Sequence, residues 1–155
     1  MRRLAIFIAV LGLSACLDTP PGGPDAGSGN PSDPATETFT GFNPPIVISQ
    51  MTKTALGVYY LDQRVGTGPA LAGSQVVIFS YETFLKNGAL VDEQVGVQQD
   101  LSQVVRGLQD GMVGMQAGGD RIIVVPSALA FGSFAKPPIP ANSTLVYDVV
   151  LNIIP

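Results

Sequence analysis

From Ile46 onward the chain is a succession of apolar runs of strand length, separated by turn signals and interrupted once by a stretch of helical period. That alternation restricts the folded part to an all-β or α+β architecture. Gly57 to Val65 (GVYYLDQRV) predicts a strand, Gly66-Thr67-Gly68-Pro69 a turn, and Gln75 to Leu85 (QVVIFSYETFL) a long strand. Asn87-Gly88 predicts a tight hairpin, because both residues tolerate the positive φ such turns require, with Ala89 to Val97 as the returning strand.

The helical stretch is Ser102 to Met115, where Val104, Val105, Leu108, Met112 and Met115 recur at spacings near three and four. Gly107, Gly111 and Gly114 each weaken a helix by about 1 kcal/mol relative to Ala, so this one needs close packing on a sheet. Arg106, Gln109 and Asp110 exclude a membrane-dimer reading of the glycines. Gly118-Gly119 then leads into DRIIVVP, whose continuous apolar run predicts a central strand, and Ser143 to Ile154 is the last strand. The expected fold class is α+β: an antiparallel sheet wrapped around one short helix. The segment from Ser127 to Asn142, rich in Gly and Pro and carrying Phe131 and Phe134, joins the last two strands. Connections of about a dozen residues or more are either disordered or functional.

The 155 residues suit one domain with extensions. Arg2 and Arg3 precede the apolar run Leu4 to Leu13, which has the charged start and short core of a secretory signal and is too short to span a bilayer. Leu13-Ser14-Ala15-Cys16 resembles the bacterial lipobox, in which the signal is cleaved before the Cys and its thiol is lipidated. An ordinary signal peptide followed by a spare Cys is the alternative. The expected organisation is therefore a signal peptide over 1–15, a lipidated disordered linker over 16–45 and a folded domain over 46–155.

Residues 17–45 are dense in Pro, Gly, Ser, Asp and Thr, and after Arg3 no basic residue occurs until Lys53. Such a composition predicts a disordered tether, which would hold the domain about 30 Å from its anchor. Phe39 and Phe42 within it read as incidental aromatics or a small docking motif. Several acyl chains on Cys16 would give stable membrane attachment.

Charge and composition exclude several functions. The chain carries 8 basic and 12 acidic residues, and loss of Arg2 and Arg3 with the signal takes the net charge from −4 to −6. No basic stripe is available to neutralise phosphates, so nucleic acid is not an expected partner. The absence of His removes Ser-His and Cys-His nucleophile pairs and imidazole zinc sites. A lone Cys cannot close an internal disulfide. No cofactor or metal is called for. Asp92 and Glu93, adjacent on a strand, would point to opposite faces and not form a carboxylate pair. Asn142-Ser143-Thr144 matches a glycosylation sequon but reads as polar loop.

In this order, GVYYLDQRVGTGPALAGSQVVIFSYETFLKNGALVDE, VVRGLQDGMVGMQAGGDRIIVVPSALAFG and IPANSTLVYDVVL resemble the FKBP-type peptidyl-prolyl isomerases over about residues 53–154. The resemblance implies catalysis of cis/trans interconversion at Xaa-Pro bonds. It places the catalytic residues at Tyr81, Asp92 and Phe131, and the substrate-binding residues at Val91, Val104, Val105, Leu108, Ile139 and Tyr147. Val104, Val105 and Leu108 would form the floor, Tyr81, Phe131 and Tyr147 the aromatic walls, and Ile139 the loop side. Asp92 would sit at the rim, with the segment 127–142 as a flap.

Against the family pattern, Leu108 stands where the floor is usually Trp and Val91 where Phe commonly precedes the Asp. Phe131 replaces a Tyr whose hydroxyl donates to the ligand carbonyl, and Tyr147 replaces a Phe. The segment from Glu93 to Gln103 is shorter than usual, with Val95 or Val97 as the nearest substitutes for an aromatic wall. These changes predict a slower isomerase with weak macrolide binding. The same chemistry leaves open a membrane-tethered binding or chaperone module with an eroded pocket, and a purely structural lipoprotein. Without the resemblance, Val104, Val105 and Leu108 read as core and Asp92 as an edge carboxylate. The expected partners are proline-containing unfolded or secreted proteins and the membrane through Cys16, with the protein acting as a monomer at the periplasmic face. Leu17 stands immediately after the Cys, with Asp18 next, and the absence of an Asp directly after the Cys favours the outer membrane over the inner.

Overall fold

The structure, a computed structural model, describes residues 33–155. Within them six strands form one antiparallel sheet: β1 (Thr52–Lys53), β2 (Tyr59–Arg64), β3 (Val76–Leu85), β4 (Leu90–Asp100), β5 (Asp120–Val125) and β6 (Leu145–Ile153). Their spatial order is β1-β2-β5-β6-β3-β4. The helix α1 (Arg106–Met112) packs on β5. The Leu4–Leu13 run, Cys16 and most of the expected linker lie outside the described residues.

Alternation along the strands sorts the two faces of the sheet. One face carries Val77 and Phe79 of β3, Ile123 and Val125 of β5, and Leu145, Tyr147, Val149 and Leu151 of β6, closed over by Leu108 and Met112 of α1. The expected glycine packing is realised: a Cβ on Gly107 would collide with Val125 Cγ1, and one on Gly111 with Ile123 Cγ2. The helix can approach the sheet this closely only without side chains at those two positions.

Arg121 ties helix to sheet. Only 4 % exposed, it donates from Nη1 to the Gly111 carbonyl at 2.8 Å and the Val113 carbonyl at 3.1 Å, satisfying the end of α1. Its Nε and Nη2 engage Asp62 Oδ1 and Oδ2 at 2.6 and 3.1 Å, and its guanidinium lies 4.1 Å from the Tyr60 ring centroid.

Several expected boundaries shift. The returning strand β4 continues to Asp100, past the expected end at Val97, and the chain then makes a 3-10 turn over Leu101–Gln103, capped by Asp100 accepting from the Ser102 N–H at 2.8 Å. The helix therefore starts at Arg106 instead of Ser102, and it stops before Gly114, which takes φ +81°. At the β3–β4 hairpin only Gly88 takes positive φ, at +82°.

The larger correction concerns residues 33–45, which composition placed in a disordered tether. They lie on the opposite face of the sheet. Asp33 Oδ1 accepts from the Ala35 N–H at 3.1 Å and the Tyr59 hydroxyl at 2.8 Å, while Oδ2 accepts from Lys53 Nζ at 2.6 Å. Glu37 accepts from the Thr144 hydroxyl at 2.5 Å and pairs with Lys86 at 3.3 Å. Phe39, Phe42, Ile46, Ile48 and Met51 cover Tyr59, Phe84, Ile122, Val124 and Val146. Phe42 meets Phe84 edge-on, with ring centroids 5.8 Å apart. The aromatics that looked incidental are anchors, because the apolar surface they bury belongs to strands far along the chain.

Candidate active site

The expected pocket residues arrive from six parts of the chain and converge on the helix side of the sheet. Tyr81 comes from β3, Val91 and Asp92 from β4, Val104 and Val105 from the link into α1, Leu108 from α1, and Tyr147 from β6. Phe131 and Ile139 come from the segment between β5 and β6. Leu108, Ile139 and Tyr147 are buried members of the main core cluster, and Tyr81, Val91, Val104, Val105 and Phe131 are partly buried against it. Asp92 joins through the Tyr81 hydroxyl, which donates to Asp92 Oδ2 at 3.1 Å.

Local sequence explains this placement. Tyr81 and Thr83 share a face, and Thr83 lies opposite Asp92, so the carboxylate stands on the same side as the phenol. The register slips between Thr83 and Phe84, where Val91 goes unpaired and turns toward the core. Glu93 lies opposite Glu82 on the other face, so the two adjacent carboxylates are separated as expected.

The segment between β5 and β6 is ordered by its own hydrogen bonds. After the 3-10 turn Ser127–Leu129, the Gly132 N–H donates to the Ser127 carbonyl at 2.8 Å and the Asn142 N–H to the Gly132 carbonyl at 2.7 Å. Lys136 and Ile139 bond reciprocally, which sets Ile139 into the cluster while Phe134 stays 79 % exposed. The segment is thus a built flap.

Both phenols at the site are held neutral. Burial and, next, the Asp92 carboxylate push the Tyr81 hydroxyl up to about 12. Burial, with Tyr81 and Asp92 nearby, raises Tyr147 further. The two rings meet at a steep angle, with centroids 6.3 Å apart. The arrangement is an apolar cup with one phenol-carboxylate pair at its wall. It offers no nucleophile and no proton relay, but it can desolvate an apolar ring and favour a less polar form of an amide.

Sequence reasoning missed three contributors. Phe79 stacks on Tyr81 at 5.6 Å between centroids, a partner signalled by its position two residues earlier on the same face. Leu129 packs on the same core cluster. Lys136 places its ammonium 4.9 Å from the Phe131 ring centroid, and as the lone basic residue of the flap it could have been singled out. Of the two substitutes for an aromatic wall, Val97 packs on the core cluster, whereas Val95 is 89 % exposed and contributes no wall.

Comparison with known proteins bears on the same region. The family model described as FKBP-type peptidyl-prolyl cis-trans isomerase matches residues 68–152. The chain is 38 % identical over 104 residues to FK506-binding protein 4 of Chaetomium thermophilum, covering 64 % of this chain and 22 % of that protein. It is 42 % identical over 102 residues to the 46 kDa FK506-binding nuclear protein of Spodoptera frugiperda, covering 61 % and 25 %. The chain thus spans about a quarter of the length of the curated relatives it matches. Among solved structures, FkpA from Escherichia coli superposes with a TM-score of 0.63 at 31 % identity, over 66 % of this chain and 50 % of that one. A peptidyl-prolyl cis-trans isomerase from Pseudomonas syringae superposes with a TM-score of 0.63 at 24 % identity, over 66 % and 79 %, a likeness of fold.

Proposed function

Because the chain belongs to the FKBP-type peptidyl-prolyl cis-trans isomerase family, we propose that its folded domain catalyses cis/trans interconversion of Xaa-Pro bonds in extracytoplasmic polypeptides while anchored by lipid on Cys16. The observation that carries this reading is the Tyr81–Asp92 pair standing at the wall of the cup formed by Leu108, Ile139, Tyr147 and Phe131.

Rotation about an Xaa-Pro bond must break amide conjugation, at a barrier of about 18–20 kcal/mol. A site lowers it by holding the proline ring in an apolar cup and binding the twisted amide better than either planar isomer. The twisted amide has less charge separation, so the dry wall of Tyr81, Tyr147 and Phe131 favours it. Each reduction of about 1.4 kcal/mol is tenfold in rate, so modest differential binding is enough. Phe131 supplies no hydroxyl to the carbonyl, and Val91 supplies no aromatic ring to the cup. Activity and macrolide affinity are therefore reduced. The same two facts favour, as a second reading, an FKBP-like binding module that captures Pro-containing segments without turning them over.

The lipid anchor and the periplasmic placement rest on the sequence of residues 1–18. Metabolic labelling of Cys16 with a radiolabelled fatty acid tests the anchor, and absence of label in a host that lipidates other envelope proteins removes it. Isomerase exchange measured by NMR on a short Xaa-Pro peptide tests the activity. Enhancement that is lost in Asp92→Ala supports the enzyme, and no enhancement by folded protein at high concentration leaves the binding module.

A further inference from the structure

Behind the sheet, on the face away from the cup, the N-terminal segment roofs a cavity of about 250 Å³. Phe42, Ile46 and Met51 of the roof face Leu61, Ile122 and Val146 of the sheet, and polar atoms enter from Gln50, Gln63 and Asp148. We infer that this cavity is a second binding site, which takes a primary ammonium group carried on an apolar stem.

Size sets the stem. An apolar cavity of about 150 Å³ accepts benzene, so this one has room for about ten non-hydrogen atoms, a phenyl ring with a short alkyl chain. Charge sets the head group. No Lys or Arg lines the cavity, and Asp148 stands within a group of like charges. Glu82 is directly opposite it on β3, Glu93 lies beyond Glu82 on β4, and Asp120 is within hydrogen-bonding reach on β5. Arg64 is opposite Asp120 in register, yet it lines a separate groove with Asp62 and Gly119, and no ion pair among the described residues involves this carboxylate group. Glu82, Glu93 and Asp120 line the adjoining groove, with Asp148 shared between it and the cavity, and Asp120 Oδ1 is buried without a hydrogen-bond partner. Among the described residues no group of three or more acidic side chains is arranged to hold a metal ion, and a single ammonium beside Asp148 would complement the carboxylate group.

Burial and the neighbouring Asp120 and Glu82 push the Asp148 carboxyl up to about 6, the response of an acid that lacks a cation. Residues 4–52, which include the whole roof, contain no Lys or Arg, so the roof supplies no cation itself. The site is distinct from the proline cup and stands whether or not the cup is an active enzyme.

The test is a methyl and amide NMR titration of the full-length protein with 4-phenylbutylamine, 4-phenylbutanol and 4-phenylbutyrate at neutral pH. Saturable shifts confined to Ile46, Leu61, Ile122 and Val146 are expected, with the amine favoured over the alcohol by about fivefold or more and the acid excluded. Asp148→Asn should abolish the preference for the amine while the alcohol still binds and prolyl turnover is unchanged. Gln50→Lys, on the exposed roof, should depress amine binding without touching the carboxylates. Equal binding of amine and alcohol by the unaltered protein overturns the inference. So do shifts centred on Tyr81 and Phe131, or a diffusion coefficient showing that a second copy of the chain occupies this face.

Discussion

The Tyr81 hydroxyl and the Asp92 carboxylate, on neighbouring strands, are joined by a hydrogen bond of 3.1 Å at the wall of the candidate site. The phenol is held neutral by burial and by that carboxylate, near 12. Removing the charge in Asp92→Ala should lower the Tyr81 ionisation toward the ordinary phenol range without reaching it, because burial, the larger cause, persists. An ultraviolet titration at alkaline pH reads this directly. The same variant should lose isomerase turnover by about tenfold, the effect of removing one charge-assisted hydrogen bond from the wall.

Phe131 faces the cup without a hydroxyl. In Phe131→Tyr the added donor can reach a bound carbonyl, and one such bond contributes about 0.5–1.5 kcal/mol. Turnover and rapamycin affinity should both rise, by about two- to tenfold. Rapamycin binding by the unaltered protein is expected to be weaker than nanomolar, and a calorimetric titration showing nanomolar affinity would contradict the reduced-pocket reading.

Gly107→Ala sets helix propensity against packing. On propensity alone Ala should stabilise α1 by about 1 kcal/mol. The new Cβ would instead collide with Val125 Cγ1 and crowd Leu129, and overpacking of this kind costs about 1–3 kcal/mol. A net loss of stability in urea unfolding is expected, whereas a gain would show that the helix sits farther from the sheet.

Arg121→Met removes the cap on α1 and leaves Asp62 without its cation. Breaking a buried pair from one side costs about 3–5 kcal/mol, and Asp62, with a third of its side chain exposed, recovers part of that from water. A loss near the lower end is expected by denaturant titration. Arg121→Met combined with Asp62→Leu should recover much of it.

Acid should affect this protein in two opposite ways. Asp148 has its folded value raised from 3.8 to about 6, so its stabilisation is complete below the unfolded value and is lost as pH rises through about 6. Between pH 5 and 7 the unaltered protein should lose Tm relative to Asp148→Asn. Asp33 is depressed to about 2, first by Lys53, so its contribution is present above about 4 and disappears as pH falls toward 2. Thermal melts of Asp148→Asn and Asp33→Asn across pH 2–8 separate the effects.

The strand runs, the hairpin at Asn87-Gly88, the short glycine-bearing helix and the long flap were all legible in the sequence, because alternation, helical period and turn chemistry are local properties of the chain. That the expected cup residues gather on one side of the sheet was anticipated through family resemblance alone: Val104, Val105 and Leu108 carry the same pattern as any core helix, and nothing local distinguishes floor from core. The Tyr81–Asp92 bond, the Phe79 stack and the Lys136 contact depend on register and on where the flap folds back, which no single stretch encodes.

Residues 33–45 show the limit most clearly. By composition Asp33 to Pro45 looks unable to bury enough surface to order itself, and by itself that judgement is sound. Tertiary structure changes the outcome because β2, β3, β5 and β6 present an apolar second face, where Phe39, Phe42 and Ile46 find surface they could not find locally. Sequence alone determined the five longer strands and the helix, and that chemistry without His must work through shape and desolvation. Only the assembled sheet decided what covers each of its faces, since burial depends on partners brought together from distant parts of the chain.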